Sequence, residues 1–240
     1  MSPQSIILEI RAGAGGEEAS LFAADLANMY LKYAQKQGWK TVIISSSTSD
    51  LGGCKEITAE IKNPDAYEKL KQEAGVHRVQ RIPDTEKSGR IHTSTASVAI
   101  LPIYPQKTFE IKPDDIEINF SRSGGPGGQN VNKLETAVRI KHKPTGLVVH
   151  SQSERSQQRN REQAMEILRS KLIEEQKRQA VGSVRDLRRE QIGSQERAEK
   201  IRTYNFPQDR VTDHRINKKF HNIERILTGD IDPIIEAFKK

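Results

Sequence analysis

The feature that most constrains the fold is a run of glycines around one proline near the middle of the chain, SGGPGGQNVN at residues 123–132. Glycine permits backbone conformations with φ > 0 and carries no Cβ, whereas proline fixes its own φ. Such a run separates the secondary structure before it from that after it. Hydrophobic residues make up 34% of the 240-residue chain, and the mean hydropathy is −0.71. Because these values are low for one compact core, we predict two modules with smaller cores.

Hydrophobic periodicity before residue 123 predicts one long helix and several strands. A helix begins at about Glu17, after a short apolar run at 5–10 and the break AGAGG, and its apolar side chains at helical spacing are Phe22, Leu26, Met29, Tyr30 and Tyr33. The further predicted strands are 41–48, 55–62, 76–82, 91–103 and 116–120, with a short helix at about 67–73.

After residue 132 the pattern predicts a hairpin and a long polar helix. Strands 137–142 and 147–151 flank the turn PTG, and a helix from 154 to about 179 has a thin apolar stripe. We predict an exposed connector at 183–202 and a closing helix at about 217–227. The predicted fold is α+β. Its first module is an α/β unit of residues 1–120 completed by 203–240, and residues 121–202 form an inserted small α/β domain with a long helix.

The positive charge is concentrated in the second module. The net charge is +7, and residues 139–202 alone hold 16 Lys or Arg against nine Asp or Glu. A charge run is often only a solvated helix face. Here it lies beside a glycine run and contains almost no aromatic residues, which favours contacts with the phosphates and shape of a nucleic acid.

Several classes of protein are excluded. Cys54 is the single cysteine, so a disulfide framework and a multi-thiolate zinc site are excluded. The opening MSPQSIILEI does not have the pattern of a signal peptide, and no segment has the apolar length of a membrane span. We expect a cytoplasmic protein without a bound metal or cofactor.

Three interpretations of the glycine run remain open. It can be a flexible linker. It can be a phosphate-binding loop, although the pattern GxxxxGK[ST] is absent. It can also be a shaped tip whose backbone approaches a substrate closely and offers N–H groups to a developing oxyanion, where one donor contributes about 2.7–4 kcal/mol. In the last case Gln129 would position a water molecule.

Five segments resemble the bacterial class I peptide chain release factors that read UAA and UAG. They are, in the family's order, RAGAGGEEA (11–19), GVHRVQRIPDTEKSGRIHTST (75–95), GGQ (127–129), PTGLVV (144–149) and RTYNFPQDRVTDHR (202–215). The resemblance covers essentially the whole chain. Three features depart from the family pattern: the usual N-terminal helical domain is absent from this sequence, Asp84 occupies a variable position, and Asn130 stands where many members have histidine.

The resemblance implies a translation termination factor that recognises UAA or UAG on the ribosome and promotes hydrolysis of the peptidyl-tRNA ester. It assigns the hydrolytic tip to Gly127, Gly128 and Gln129, with Gln129 also the substrate of a glutamine methyltransferase. The activity is enzyme-like, because ribosomal RNA of the peptidyl transferase centre supplies most of the active site. The expected partners are the ribosome, the mRNA stop codon and peptidyl-tRNA, and the protein is expected to be a monomer.

The resemblance also assigns codon contacts. The tripeptide Pro83-Asp84-Thr85 would read the first two bases, and His92 would stack beside the second base. Gln80 and Thr93 would meet the third base, where an amide that presents either end would tolerate A and G. The full set of expected codon-binding residues is Gly15, Glu18, Gln80, Pro83, Asp84, Thr85, His92 and Thr93.

Two other functions remain open at this point. Codon-independent rescue hydrolases share the GGQ tip, but the PDT and HTST segments argue against that class. The basic half alone would also suit a non-catalytic RNA-binding module. The remaining histidines are expected to be structural: His77, His142, His150, His214 and His221.

Overall fold

The computed structural model describes residues 2–49, 52–83, 86, 89–105, 111–122, 134–193 and 198–239. They form a mixed α+β fold, which confirms the predicted class. The chain divides into two compact units, one of Met1–Pro105 with Val184–Lys240 and one of Gln106–Ser183. The C-terminal residues belong to the first unit. The divisions fall after residues 105 and 183, whereas the sequence pattern placed them after 120 and 202.

The strands and helices in chain order are as follows. The strands are β1 (Ser5–Ala12), β2 (Lys40–Thr48), β3 (Cys54–Lys62), β4 (Gly75–Arg81), β5 (His92–Ile103), β6 (Ile116–Ser121), β7 (Ala137–His142), β8 (Val148–Ser151), β9 (Lys200–Asn205), β10 (Arg210–Asp213) and β11 (Lys218–His221). The helices are α1 (Glu17–Lys36), α2 (Ala66–Leu70), α3 (Gln157–Ile192), α4 (Ile223–Leu227) and α5 (Asp232–Glu236).

The described part of the first unit contains one eight-stranded sheet in the order β11-β10-β9-β4-β5-β1-β3-β2. Neighbouring strands are antiparallel except β4 and β9, which run parallel. The parallel pair joins the C-terminal segment to the middle of the sheet. It thereby places residues about 125 positions apart in the chain side by side.

Helix α1 covers one face of this sheet. The five side chains predicted to form its apolar face are all fully buried. They pack with Ile6, Leu8 and Ile10 of β1, and isoleucines of α4 and α5 belong to the same core. Burial of such side chains contributes roughly 1.5–3 kcal/mol each, so this core is the main source of stability.

The predicted exposed connector at 183–202 is wrong. Helix α3 continues to Ile192, where Ile192 packs on Ala99 and Leu101 of β5, and strand β9 begins at Lys200. The apolar residues of this helix end are so widely spaced that the sequence reads as polar. Its charged residues are partly paired, since Arg188 donates a hydrogen bond to Glu9 of β1.

A buried ionic cluster holds β9 in the sheet. The guanidinium of Arg202, which is fully buried, donates to Glu73 at 2.5 and 2.8 Å and to Asp213 at 3.1 Å. The Tyr30 hydroxyl donates to Glu73 at 2.9 Å. Burial and the charge of Arg202 lower the pKa of the adjacent His77 to about 4. His77 is therefore a neutral structural residue, as predicted.

The closing helix predicted at 217–227 is also wrong in its first half, where β11 forms instead. Asn217 and Asn222 have φ values of 52° and 67°, in the left-handed region, and therefore interrupt a continuous helix. The Asn222 side chain accepts a hydrogen bond from the N–H of Arg225 and so caps α4.

The second unit contains, in its described part, the three-stranded antiparallel sheet β6-β7-β8 and the first part of α3. Val138, Ile140 and Val149 of the sheet pack on Ala164, Leu168 and Leu172 of the helix. The alternation along β7 leaves Arg139 and Lys141 exposed on its other face.

Candidate functional site

The end of the β4–β5 hairpin brings several expected codon residues together. Gln80 pairs with Thr93 across the two strands, and Arg81 pairs with His92. Residues directly opposite in an antiparallel pair share a face of the sheet. Gln80 and Thr93 therefore lie on one face, and His92 lies with Arg81 on the other face, which α1 covers.

The loop that begins α1 is joined to the same end of β5. The backbone of Ala14 exchanges hydrogen bonds with Thr95, from its own N–H to Thr95 Oγ1 and from the Thr95 N–H to its carbonyl, both at 2.9 Å. Gly15 has φ 138°, and a Cβ at this position would lie 2.2 Å from Ser94 Oγ. The close approach thus requires glycine, and it positions the first turn of α1 beside the β5 residues that precede Thr95.

Arg81 joins the helix start to the hairpin. Its guanidinium donates to Glu18 at 2.5 Å and to Asp25 at 2.7 Å, and it lies 5.3 Å from the centre of the Phe206 ring. Burial alone would lower the pKa of Arg81, but hydrogen bonds and charges of Asp25 and Glu18 outweigh it and raise that pKa. The Glu18 side chain, which is only 4% exposed, is therefore paired with Arg81 inside the protein.

Sequence reasoning did not identify Arg81, Asp25 or Phe206 as part of this region. Arg81 follows Gln80 directly within the segment HRVQR, so strand alternation could have placed it on the opposite face. Its carboxylate partners lie 56 and 63 residues away. No local spacing signals pairs of that separation.

The tripeptide 83–85 is only partly described. Pro83 is buried, and its carbonyl accepts a hydrogen bond from the N–H of Glu86 at 3.0 Å. Asp84 and Thr85 lie outside the described residues. The Glu86 carboxylate contacts His92 Nε2 at 2.7 Å, while the His92 side chain is 46% exposed. His92 is thus oriented by an acidic partner and still accessible to a ligand.

The glycine run of the second unit, with Gly127, Gly128 and Gln129, also lies outside the described residues. Its flanks are described: Ser121 of β6 pairs with Ala137 of β7. Two amides of α3 hold the segment just before β7. Gln157 Nε2 donates to the carbonyl of Glu135 at 2.9 Å, and Asn160 Nδ2 donates to the carbonyl of Thr136 at 2.8 Å.

Asn160 is fully buried, and every hydrogen-bonding position of its amide is occupied. Its Oδ1 accepts from the N–H of Glu154 at 3.0 Å and from Ser151 Oγ at 3.1 Å. Its Nδ2 also donates to the carbonyl of Glu154 at 2.8 Å. A buried amide with this many partners has one orientation, so residues 135 and 136, which follow the glycine run in the sequence, are attached to a rigid support.

Exposed basic side chains lie on β7 and near the start of α3, the elements that form this support. Besides Arg139 and Lys141 on β7, the exposed basic side chains near the start of α3 are Arg155, Arg159 and Arg161. Among the residues that the structure describes, no group of three or more His, Cys, Asp or Glu side chains could hold a metal ion, and no described helix is long and apolar enough to cross a membrane. The surface suits an anionic partner.

Known protein families match almost the whole length of the chain. Residues 1–98 match the PCRF domain and residues 105–215 match the RF-1 domain. Peptide chain release factor 1 of Dictyoglomus turgidum is 57% identical over 233 residues, which are 97% of this chain and 64% of that protein. The factor of the same name from Aquifex aeolicus is 55% identical over 236 residues, 98% of this chain and 65% of that protein.

The chain thus spans slightly less than two thirds of the length of these curated relatives. Among solved structures, RF2 of Thermus thermophilus is similar with a TM-score of 0.59 and 35% sequence identity, over 98% of this chain and 67% of that one. The two domain matches, the similar release factors and the similar fold lead to one conclusion: the chain belongs to the bacterial peptide chain release factor family.

Proposed function

We propose that the chain is a codon-specific translation termination factor, which recognises UAA and UAG and promotes hydrolysis of the peptidyl-tRNA ester. The proposal rests on the grouping of expected codon-binding residues at the end of the β4–β5 hairpin. There Gln80, His92 and Thr93 lie within one stretch of two paired strands, and the start of α1 with Gly15 adjoins them. One trinucleotide can contact all of these groups.

The chemistry of this region suits bases better than phosphates. Gln80 and Thr93 offer an amide and a hydroxyl on one face, and His92 offers an aromatic ring on the other. Glu18 and Asp25 neutralise Arg81, so that cation is occupied within the protein. Thr85, in the expected tripeptide with Pro83 and Asp84, would add the contact that favours adenine at the second position.

The second unit would carry the hydrolytic step. In the proposed mechanism the backbone of Gly127 and Gly128 approaches the ester closely, and a backbone N–H stabilises the oxyanion while Gln129 positions water. The rigid attachment through Asn160 supports this role, because a shaped tip needs a fixed base. The exposed cations of β7 and α3 would contact ribosomal RNA.

Two finer expectations belong to the same proposal. Gln129 would be the site of side-chain methylation by a glutamine methyltransferase, as the resemblance to the family implies. The factor would act as a monomer in the cytoplasm, where its partners are the ribosome, the stop codon and peptidyl-tRNA.

The test is peptide release by this chain from ribosomes that carry UAA, UAG, UGA, a sense codon or no codon. We expect release on UAA and UAG, little on UGA and almost none in the other two cases. Equal release with an empty decoding site would instead indicate a rescue hydrolase. Binding to the ribosome without peptide release on any of these codons would indicate an RNA-binding module.

A further inference from the structure

A buried carboxylate at the start of α1 depends on one cation of the β4–β5 hairpin. The Glu18 side chain is 4% exposed, and its Oε1 accepts a hydrogen bond from Arg81 Nε at 2.5 Å. Its Oε2 is buried and has no hydrogen-bond partner among the residues that the structure describes. A buried carboxylate that loses its cation is strongly disfavoured, so Glu18 stays in this place only while Arg81 reaches it.

Arg81 contacts two turns of α1 at once. Its Nη1 donates a hydrogen bond to Asp25 at 2.7 Å, and Asp25 follows Glu18 by seven residues, about two helical turns. The guanidinium also lies 5.3 Å from the centre of the Phe206 ring. A planar guanidinium can make all three contacts together, whereas the ammonium of a lysine is a compact point charge. Arg81 therefore holds the first two turns of α1 against the end of β4.

The helix start that Arg81 holds is not capped by its own N-cap side chain. Gly16 is the N-cap residue of α1 and makes no side-chain hydrogen bond there. The first N–H groups of a helix have no acceptor within the helix, so those of Glu17 and Glu18 can donate to an outside group. Uracil presents a carbonyl oxygen where cytosine presents an amino group. A backbone N–H at this helix start can therefore distinguish the two bases, provided that its position is fixed.

We propose that Arg81 is a positioning residue for the first codon base: through Glu18 and Asp25 it holds the N–H groups at the start of α1 where they select uracil. The inference rests on the proposed function, because it concerns the same site. It adds to codon selection a side chain that does not itself contact the codon. It also predicts that the loss of this side chain changes selection at one codon position.

The residues expected at the other codon positions lie outside this network. Gln80 and Thr93 lie on the opposite face of the sheet from Arg81. His92 shares a face with Arg81, but its ring is oriented by the Glu86 carboxylate at 2.7 Å. A displaced helix start should therefore impair selection of the first base and leave selection of the second and third bases intact.

Arg81→Lys tests this expectation, because it keeps the positive charge and removes the planar group that reaches both carboxylates. Peptide release is measured on ribosomes that carry UAA, CAA, UGA or UAG. We expect KM on UAA to rise of the order of tenfold with kcat at saturation unchanged, and the ratio of kcat/KM on UAA to that on CAA to fall of the order of tenfold. The ratios of UAA to UGA and of UAA to UAG should not change.

Arg188→Lys is the matched control. Arg188 donates a hydrogen bond to Glu9 in the same unit, and the Glu9 side chain is 6% exposed. Within the described chain, Glu9 Oε2 is also buried without a hydrogen-bond partner, like Glu18 Oε2. Arg188→Lys should lower the thermal midpoint by a similar amount and leave KM and all three codon ratios unchanged.

Asp25→Asn is a milder variant that tests the same contact. The Asp25 side chain is 35% exposed, so its substitution leaves no buried charge unpaired and the chain should fold. The ratio of UAA to CAA should fall about threefold, as expected for the loss of a partly exposed ion pair. In a chain that already carries Arg81→Lys, Asp25→Asn should have no further effect. If Arg81→Lys does not fold, Asp25→Asn alone decides the matter.

Amide hydrogen exchange in the free protein measures the positioning without the ribosome. Arg81→Lys should speed exchange at residues 16–20 and leave exchange at residues 92–95 unchanged. Unchanged exchange at 16–20 would overturn the positioning role. A ratio of UAA to CAA that stays constant in both variants, or that falls together with the other two ratios, would overturn the link to the first base. Codon-independent release by the unsubstituted chain would instead overturn the proposed function itself, before any substitution is made.

Discussion

Gly15→Ala should damage the start of α1 far more than the same change one residue later. Gly15 has φ 138°, a region that side-chain-bearing residues rarely adopt, and a Cβ there would lie 2.2 Å from Ser94 Oγ and 2.5 Å from Ser94 Cβ. Strain of this kind costs about 1–3 kcal/mol, and overpacking costs about 1–3 kcal/mol more. We therefore expect a loss of about 2–6 kcal/mol in the free energy of unfolding.

Gly16→Ala is the matched control. Gly16 has φ 61°, and a Cβ at that position meets nothing within 4 Å. Its ψ is −133°, outside the left-handed helical region, and backbone strain of this kind costs about 1–3 kcal/mol without any added steric clash. Urea denaturation of the two variants compares the losses directly. Ser94→Gly in the Gly15→Ala chain removes both clashing atoms and should recover part of the stability.

The codon assay gives a second measure of the same change. If the Gly15→Ala chain moves the loop away from β5 rather than unfolding, KM for release on UAA should rise while kcat at saturation is preserved. Equal stability losses in Gly15→Ala and Gly16→Ala, with equal KM values, would refute the argument that the loop must approach Ser94 closely.

Three other predictions concern the core and the second unit. Burial lowers the pKa of His77 to about 4, whereas an unfolded histidine has a pKa near 6.5, so between these pH values only the unfolded state binds the proton. The free energy of unfolding should therefore fall by up to about 3 kcal/mol from pH 6.5 to pH 4. A His77→Gln chain should lack this part of the pH dependence when its stability is measured by urea denaturation. Asn160→Ala removes the support of the segment after the glycine run and should lower kcat for release with KM little changed. The control Asn119→Ala, at an exposed amide of β6, should leave both constants unchanged. If Asn160 were purely structural, its substitution would lower stability without this selective loss of kcat. Gly128→Ala should nearly abolish release while ribosome binding persists, and Gln129→Ala should do less harm if a backbone N–H is the main donor; equal loss of binding and release in Gly128→Ala would show that the glycine run is only structural.

The sequence predicted those parts of the fold that local periodicity controls. The apolar face of α1 repeats at helical spacing, because one side of that helix is buried along its whole length. The strands of both sheets followed from apolar runs and turn residues in the same way. Because these signals lie within a few residues of one another, they can be recognised in a single sequence.

Long-range pairing explains what the sequence did not reveal. Arg202 reads as a surface cation, and its burial depends on Glu73, which is 129 residues away in the chain. The sequence beyond residue 183 therefore looked exposed although it forms β9. The hydrogen bond between Asn205 and Gln80 spans 125 residues and exists only because β4 and β9 run parallel.

The same distinction holds for the site. Family motifs predicted Gln80, His92 and Thr93 as codon contacts, and the pairing of β4 with β5 determined which of them share a face. No motif indicated that Arg81 joins the helix start to the hairpin through two carboxylates. Residues that position a site from other segments become visible only once the fold brings those segments together.

The most direct test of the central claim, that the first unit reads a stop codon, is a zero-length photocrosslink from 4-thiouridine at the first codon position. Ribosomes programmed with UAA should crosslink to this chain within residues 12–20, at the start of α1 beside β5. Ribosomes with a sense codon or an empty decoding site should give little of this product. A crosslink that is equal for all programmes, or that maps to the second unit, would contradict codon reading by this site.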